Sequence, residues 1–228
     1  MTEPAPGSPT ESSPDRPDET LDQVAKLYSD GLAEHGATSK SVGWKDPDQQ
    51  ILRFDKLCES LLPEGPDEAF TVNDWGCGYG AMFGYLDERW GEKLGTYNGF
   101  DIAKSMLDEA GHRFPDPRVR LHHGPELTTR ADYTFVSGTF NVRFQSTRET
   151  WHDHILRSID EMAEQSRIGF SFNLLTSYVD WEEDHLYYGD PGVFFEYCKR
   201  KHSRFVTLLH DYPLYEWTIA VRKEPRPR

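Results

Sequence analysis

The string Asn73-Asp74-Trp75-Gly76-Cys77-Gly78-Tyr79-Gly80-Ala81 stands where an apolar strand pattern, AFTVNDW, gives way to a helical one through Met82 and Leu86. Glycines at alternate positions between a strand and a helix make a tight turn whose backbone can approach a ligand closely. The rest of the chain repeats this strand-to-helix switch. TYNGFD is followed by a helix through Met106 and Ala110; VRLHHG, ADYTFVSG and IGFSFNLL are three further strands, with a helix carrying Trp151, Ile155, Ile159 and Met162 between the last two. Such alternation implies parallel pairing and a doubly wound α/β sheet. The end departs from the pattern. Helix PGVFFEYCKRK precedes SRFVTLLHDY and PLYEWTIAVRK, two strands whose short connection only antiparallel neighbours allow.

A chain of 228 residues suits one generous domain. Residues 1–19 hold five of the 15 prolines and no aromatic residue, the composition of a disordered acidic tail. Residues 20–66 form a helical cap, or lid, and residues 67–228 the sheet domain. The 39 acids outnumber the 25 bases for a net charge of −14, which argues against nucleic acid and anionic membranes as partners. No apolar stretch reaches spanning length and the N-terminus has no secretory pattern, so a soluble, cytoplasmic protein is expected. The cysteines Cys58, Cys77 and Cys198 are far apart and form no CxxC, and His152 and His154 point to different helix faces, so no metal is expected.

Within the cap, Leu21, Val24, Ala25, Tyr28 and Leu32 give one helical stripe. The second helix starts at Asp46 as N-cap with Pro47 at its first position, carries Ile51, Phe54, Cys58, Leu61 and Leu62 on one face, and stops at Pro63. The polar, glycine-containing link HGATSKSVGW between them suits a lid that excludes water.

The glycine spacing also satisfies the dinucleotide fingerprint GxGxxG/A if Ala81 closes it. Charge separates the two readings. A carboxylate at Asp74 would repel a pyrophosphate but can accept hydrogen bonds from a cationic ligand that lacks phosphate, such as S-adenosylmethionine. Asp101, ending the next strand, can accept both ribose hydroxyls. On Asp74, Gly76, Gly78, Gly80 and Asp101 the chain resembles the class I S-adenosylmethionine-dependent methyltransferases from Phe70 to about Lys223. That resemblance implies a seven-stranded, Rossmann-like sheet of order 3-2-1-4-5-7-6 with strand seven antiparallel, in agreement with the terminal hairpin. Ile102 and Met106 would then flank adenine. Glu126 is a candidate for the adenine amino group.

Catalytic residues of an open parallel sheet lie beyond the carboxyl ends of its strands, here Ser137–Asn141 and Thr176–Tyr178. Tyr28, Trp44, Phe140, Tyr178, Tyr187 and Tyr188 are aromatic candidates for holding a sulfonium. Arg53, between Leu52 and Phe54, is a candidate for the methionine carboxylate. His185 and His210 are available bases. The expected activity is methyl transfer to a small-molecule acceptor in natural-product or secondary metabolism, with no metal. A narrower resemblance rests on YSDGLAEHGATSKSVGW, SGTFN, LTSYVD, DHLYYGDPG and HDYPLYEWTI. These segments are similar to a bacterial methyltransferase-like family that includes azetidine-2-carboxylate synthases. It implies an alternative in which Asn141 and Tyr178 orient the α-amino group of S-adenosylmethionine for intramolecular cyclisation with release of methylthioadenosine. A non-catalytic cofactor-binding module is a third reading.

Overall fold

A computed structural model describes residues 17–44, 46–62 and 68–225. Most of the expected tail, and the expected boundary between cap and sheet domain, lie outside the described residues. The first helix, α1 (Pro17–His35), begins three residues inside the segment read as tail, and a 3-10 turn (Ser39–Val42) follows it. In α2 (Pro47–Glu59) the Asp46 side chain accepts from the Asp48 amide and Pro47 fills the first turn, where a missing N–H costs nothing.

The sheet contains β1 (Phe70–Trp75), β2 (Leu94–Asp101), β3 (Val119–His123), β4 (Ala131–Val136), β5 (Ser166–Thr176), β7 (Phe205–Leu209) and β8 (Glu216–Arg222), in the order β3-β2-β1-β4-β5-β8-β7. The first five pair in parallel; β8 runs antiparallel to both β5 and β7. This is the expected topology with one addition. The two-residue strand β6 (Tyr188–Gly189) pairs in parallel with the end of β5, Leu175 opposite Tyr188 and Thr176 opposite Gly189.

Helices α3 (Ala81–Trp90) and α4 (Lys104–Arg113) lie on one face of the sheet, α5 (Arg148–Gln165) and α6 (Pro191–Lys201) on the other. Thr147 caps α5 by accepting from Thr150, and Asp190 caps α6 by accepting from Gly192. The strands are apolar on both faces, as burial between two helical layers requires. On the first face Val72, Tyr97 and Phe135 meet Met82, Phe83 and Leu86 of α3; on the second Phe170, Phe172 and Ile219 meet Trp151, Ile155 and Phe194.

The cap divides. Helix α2 is part of the first helical layer: Phe54, Leu57, Cys58, Leu61 and Leu62 belong to the same apolar cluster as β1 and α3, and Ser171 Oγ of β5 donates to the Leu57 carbonyl at 2.7 Å. Its buried face is rotated from the expected stripe, because Leu57 is fully buried whereas Ile51 is exposed. Only α1 and the 3-10 turn act as a cover. They pack with Tyr79, Ala103 and Met106 beyond the carboxyl ends of the strands, and Thr20 of α1 hydrogen-bonds Ser146 ahead of α5 at 2.6 Å.

Candidate active site

The turn between β1 and α3 is stitched to the end of β2. The amides of Gly76 and Cys77 both donate to the Phe100 carbonyl, at 2.8 and 3.0 Å, and Gly78 N donates to Asp101 Oδ2 at 2.8 Å. Gly76 has φ +82°, and a Cβ there would lie 2.2 Å from Thr139 Oγ1, so both backbone angle and space demand glycine. Thr139 is itself fixed, its hydroxyl donating to the Trp75 carbonyl at 3.0 Å. The loop after β4 and the glycine turn are thus held face to face.

Between them opens a mostly apolar, partly open cavity. Its floor is the glycine turn and Asp101, its sides are Ile102, Met106, Pro125, Thr139 and Phe140, and its roof is Leu21, Val24 and Tyr28 of α1 with Val42 and Trp44. A second, smaller cavity adjoins it, lined by Gln50, Phe54, Asp74, Cys77 and Tyr79 among others. Val42, Trp44, Gly76, Gly78 and Ser137 line both and mark their junction.

Two acids set the charge of this double cavity. Asp101, almost fully buried, accepts from Gly78 N through one oxygen and from Ala103 N through the other, at 2.8 Å each. Each oxygen keeps a lone pair for a further donor. Burial raises its pKa and these amides oppose the rise. Asp74 is buried more deeply and is pushed up to about 7, burial being the largest cause, with the hydroxyl of Tyr97, which donates to Oδ2 at 2.5 Å, acting against it and Asp101 adding repulsion. The phenol of Tyr28 is raised to about 12 by burial and by Asp101.

Of the residues expected at the site, Gly76, Gly78, Asp101, Ile102, Tyr28 and Trp44 line the larger cavity and Asp74 the smaller. Gly80 lines neither; it caps α3 at φ +80°. Arg53 departs from expectation. Its Nε donates to both Glu216 carboxylate oxygens (3.0 and 2.9 Å), one Nη to Glu216 Oε1 (2.6 Å) and the other to the Gln49 carbonyl, so it is committed to β8 and lines neither cavity. Both residues expected to be catalytic also lie outside the lining. Asn141 is buried, its Oδ1 accepting from Leu175 N at 3.3 Å, where it joins the loop after β4 to β5. Tyr178 is 70 % exposed, its ring against His210 with centroids 5.8 Å apart. The backbone before it is paired on two sides, Ser177 N donating to Gly189 O of β6 and Thr176 N to Tyr215 O ahead of β8.

Tyr187 and Tyr188 are buried, the former in the apolar cluster around Phe194, while His185, His210 and Glu126 are exposed, and none of the five lines either of these two cavities. Conversely, Leu21, Val24 and His154 line the larger cavity without having been named as ligand contacts, whereas Ser137, Gly138, Thr139 and Phe140 line it from the segment expected after β4. The stripe of α1 was legible, but nothing in it distinguishes a helix facing a core from one facing a ligand. Among the described residues no group of three His, Cys, Asp or Glu side chains that could hold a metal ion occurs, and no helix is long and apolar enough to cross a membrane. The three cysteines are buried and unbridged.

No protein-family model matches the chain. Over 160 residues, 68 % of its length, it is 46 % identical to the Mycobacterium tuberculosis protein named "Putative methyltransferase Rv1506c", 95 % of which is covered. Among solved structures, magnesium protoporphyrin IX methyltransferase (ChlM) from Synechocystis PCC 6803 with bound SAH superposes with a TM-score of 0.64, at 11 % identity over 91 % of this chain and 98 % of that one. The DhpI-SAM-HEP complex superposes equally well, with a TM-score of 0.64 at 12 % identity over 92 % and 100 % of the two chains. The structures share the sheet and its helical layers, and the mycobacterial relative supplies the kinship in sequence: the chain belongs to the class I S-adenosylmethionine-dependent methyltransferases.

Proposed function

We propose that the chain transfers the methyl group of S-adenosylmethionine to a small-molecule acceptor, in natural-product or secondary metabolism. The observation that carries this reading is the pair of buried acids, Asp101 under the larger cavity and Asp74 in the smaller, on either side of a glycine turn. Two carboxylates repel a pyrophosphate and suit a cationic nucleoside. The residues fit the cofactor: Asp101 has lone pairs free for ribose hydroxyls, Ile102 and Met106 offer an apolar wall for adenine, and Asp74 suits the ammonium of the methionine end.

When bound, the cofactor supplies an electrophilic methyl, so the protein's task is positioning and exclusion of water rather than strong acid or base chemistry. An α1 roof over an apolar cavity serves that task. The double cavity also favours a small acceptor over a macromolecule, as does the net charge of −14. Cyclisation of the cofactor to azetidine-2-carboxylate, the alternative implied by the narrower resemblance, assigns Asn141 and Tyr178 to the amine, and neither residue lines the two cavities.

The test is incubation of the purified protein with S-adenosylmethionine, alone and with panels of small nucleophiles, followed by mass identification of products. S-Adenosylhomocysteine formed only when an acceptor is present is the expected result. Methylthioadenosine with free azetidine-2-carboxylate from the cofactor alone would overturn methyl transfer in favour of the cyclase. Binding without consumption under any condition points to the non-catalytic module.

A further inference from the structure

Arg53 and Glu216 form a buried bidentate ion pair whose partners stand 163 residues apart. Such pairs are seldom net stabilisers, because desolvation of two charges offsets their attraction, and their retention calls for another reason. The reason is visible in what the pair touches. The Arg53 guanidinium lies 3.5 Å from the ring centroid of Trp44, and Trp44 lines both cavities while Arg53 lines neither, so the ring, and not the guanidinium, meets the cavity junction. Glu216 in turn accepts from Asn173 Nδ2 at 2.8 Å, Asn173 Oδ1 accepts from Gly138 N at 2.7 Å, and Gly138 abuts Trp44, whose Cζ2 would be 2.6 Å from a Cβ there. The contacts close into a ring that runs from Trp44 through Arg53, Glu216, Asn173 and Gly138 back to Trp44.

An aromatic face attracts a cation, and a bare guanidinium behind the same ring would repel one in front of it. A carboxylate paired with that guanidinium removes the repulsion. We propose that Glu216 is a positioning residue that neutralises Arg53 behind Trp44, so that the cavity junction discriminates between the cationic sulfonium form of the cofactor and the neutral thioether left after transfer. This rests on the assignment of S-adenosylmethionine as cosubstrate. The device favours exchange of spent cofactor for fresh. A purely structural ion pair would affect both forms alike.

The experiment compares dissociation constants for S-adenosylmethionine and S-adenosylhomocysteine by calorimetry in the wild type, Glu216→Gln, and the double variant Arg53→Met/Glu216→Gln. Glu216→Gln is expected to weaken the sulfonium form about tenfold relative to the thioether, as unmasked repulsion between two cations sharing one ring allows, and the double variant to return the ratio to within about twofold of wild type. Equal losses for both ligands in Glu216→Gln would overturn the proposal and leave the cosubstrate assignment intact, whereas a wild type that binds neither ligand overturns both. Should Glu216→Gln fail to fold by circular dichroism, Trp44→Leu replaces it: a selective loss of the sulfonium form supports the proposal, and an unchanged ratio overturns it.

Discussion

Asp74 and Asp101 were legible in the sequence because their places follow from short-range demands, an acid just before a glycine turn and an acid ending the next strand. Their environments differ, and so do their consequences. Substitution of Asp101 by Ala removes two acceptors and should weaken S-adenosylmethionine binding at least about 30-fold, in line with the worth of hydrogen bonds to a charged group; titration calorimetry checks it. Asp74 makes a pH prediction. Its folded pKa, about 7, lies above the unfolded carboxylate value, so the folded state binds the proton more tightly and stability falls as pH rises from about 4 to about 7. Asp74→Asn should therefore raise the melting temperature at pH 8, with the gain shrinking toward pH 5. A gain of equal size at both values would remove burial of the charge as its cause. The surroundings of Arg53 and Tyr178 were not legible: the first pairs with Glu216 and the second lies beside His210, both far along the chain, and neither partner leaves a local mark.

Helices α1 and α2 look alike as amphipathic stripes, yet α2 is bedded in the apolar cluster of the sheet and α1 spans an open cavity. Period alone reports that a face is apolar, not what covers it. Since Leu21, Val24 and Tyr28 of α1 face the cavity as well as protein, opening of this helix costs less than opening of α2. Hydrogen exchange should accordingly be faster in α1 than in α2 in the free protein, and S-adenosylmethionine should slow α1 selectively. Uniform protection of both helices before ligand addition would contradict a cover that opens. Parallel pairing and the antiparallel end, by contrast, were readable from strand–helix alternation and one short terminal connection, while the strand order followed from the family resemblance and β6 was not anticipated.

The division expected between a cap and a sheet domain does not hold for packing, since Leu57, Leu61 and Phe54 share one cluster with Val72, Leu86 and Tyr97. Unfolding should be a single transition, coincident by circular dichroism and tryptophan fluorescence. Leu57→Ala, which hollows a fully buried site, should lower its free energy by about 2–5 kcal/mol without splitting it into two steps. A roof made by α1 borders the cavity and an ion pair made by α2 and β8 stands against Trp44 in its wall, so a bound ligand stabilises the folded chain in proportion to the logarithm of its concentration over its dissociation constant. In a living cell that linkage ties the protein's resistance to proteolysis, and hence its abundance, to the supply of the nucleoside it consumes.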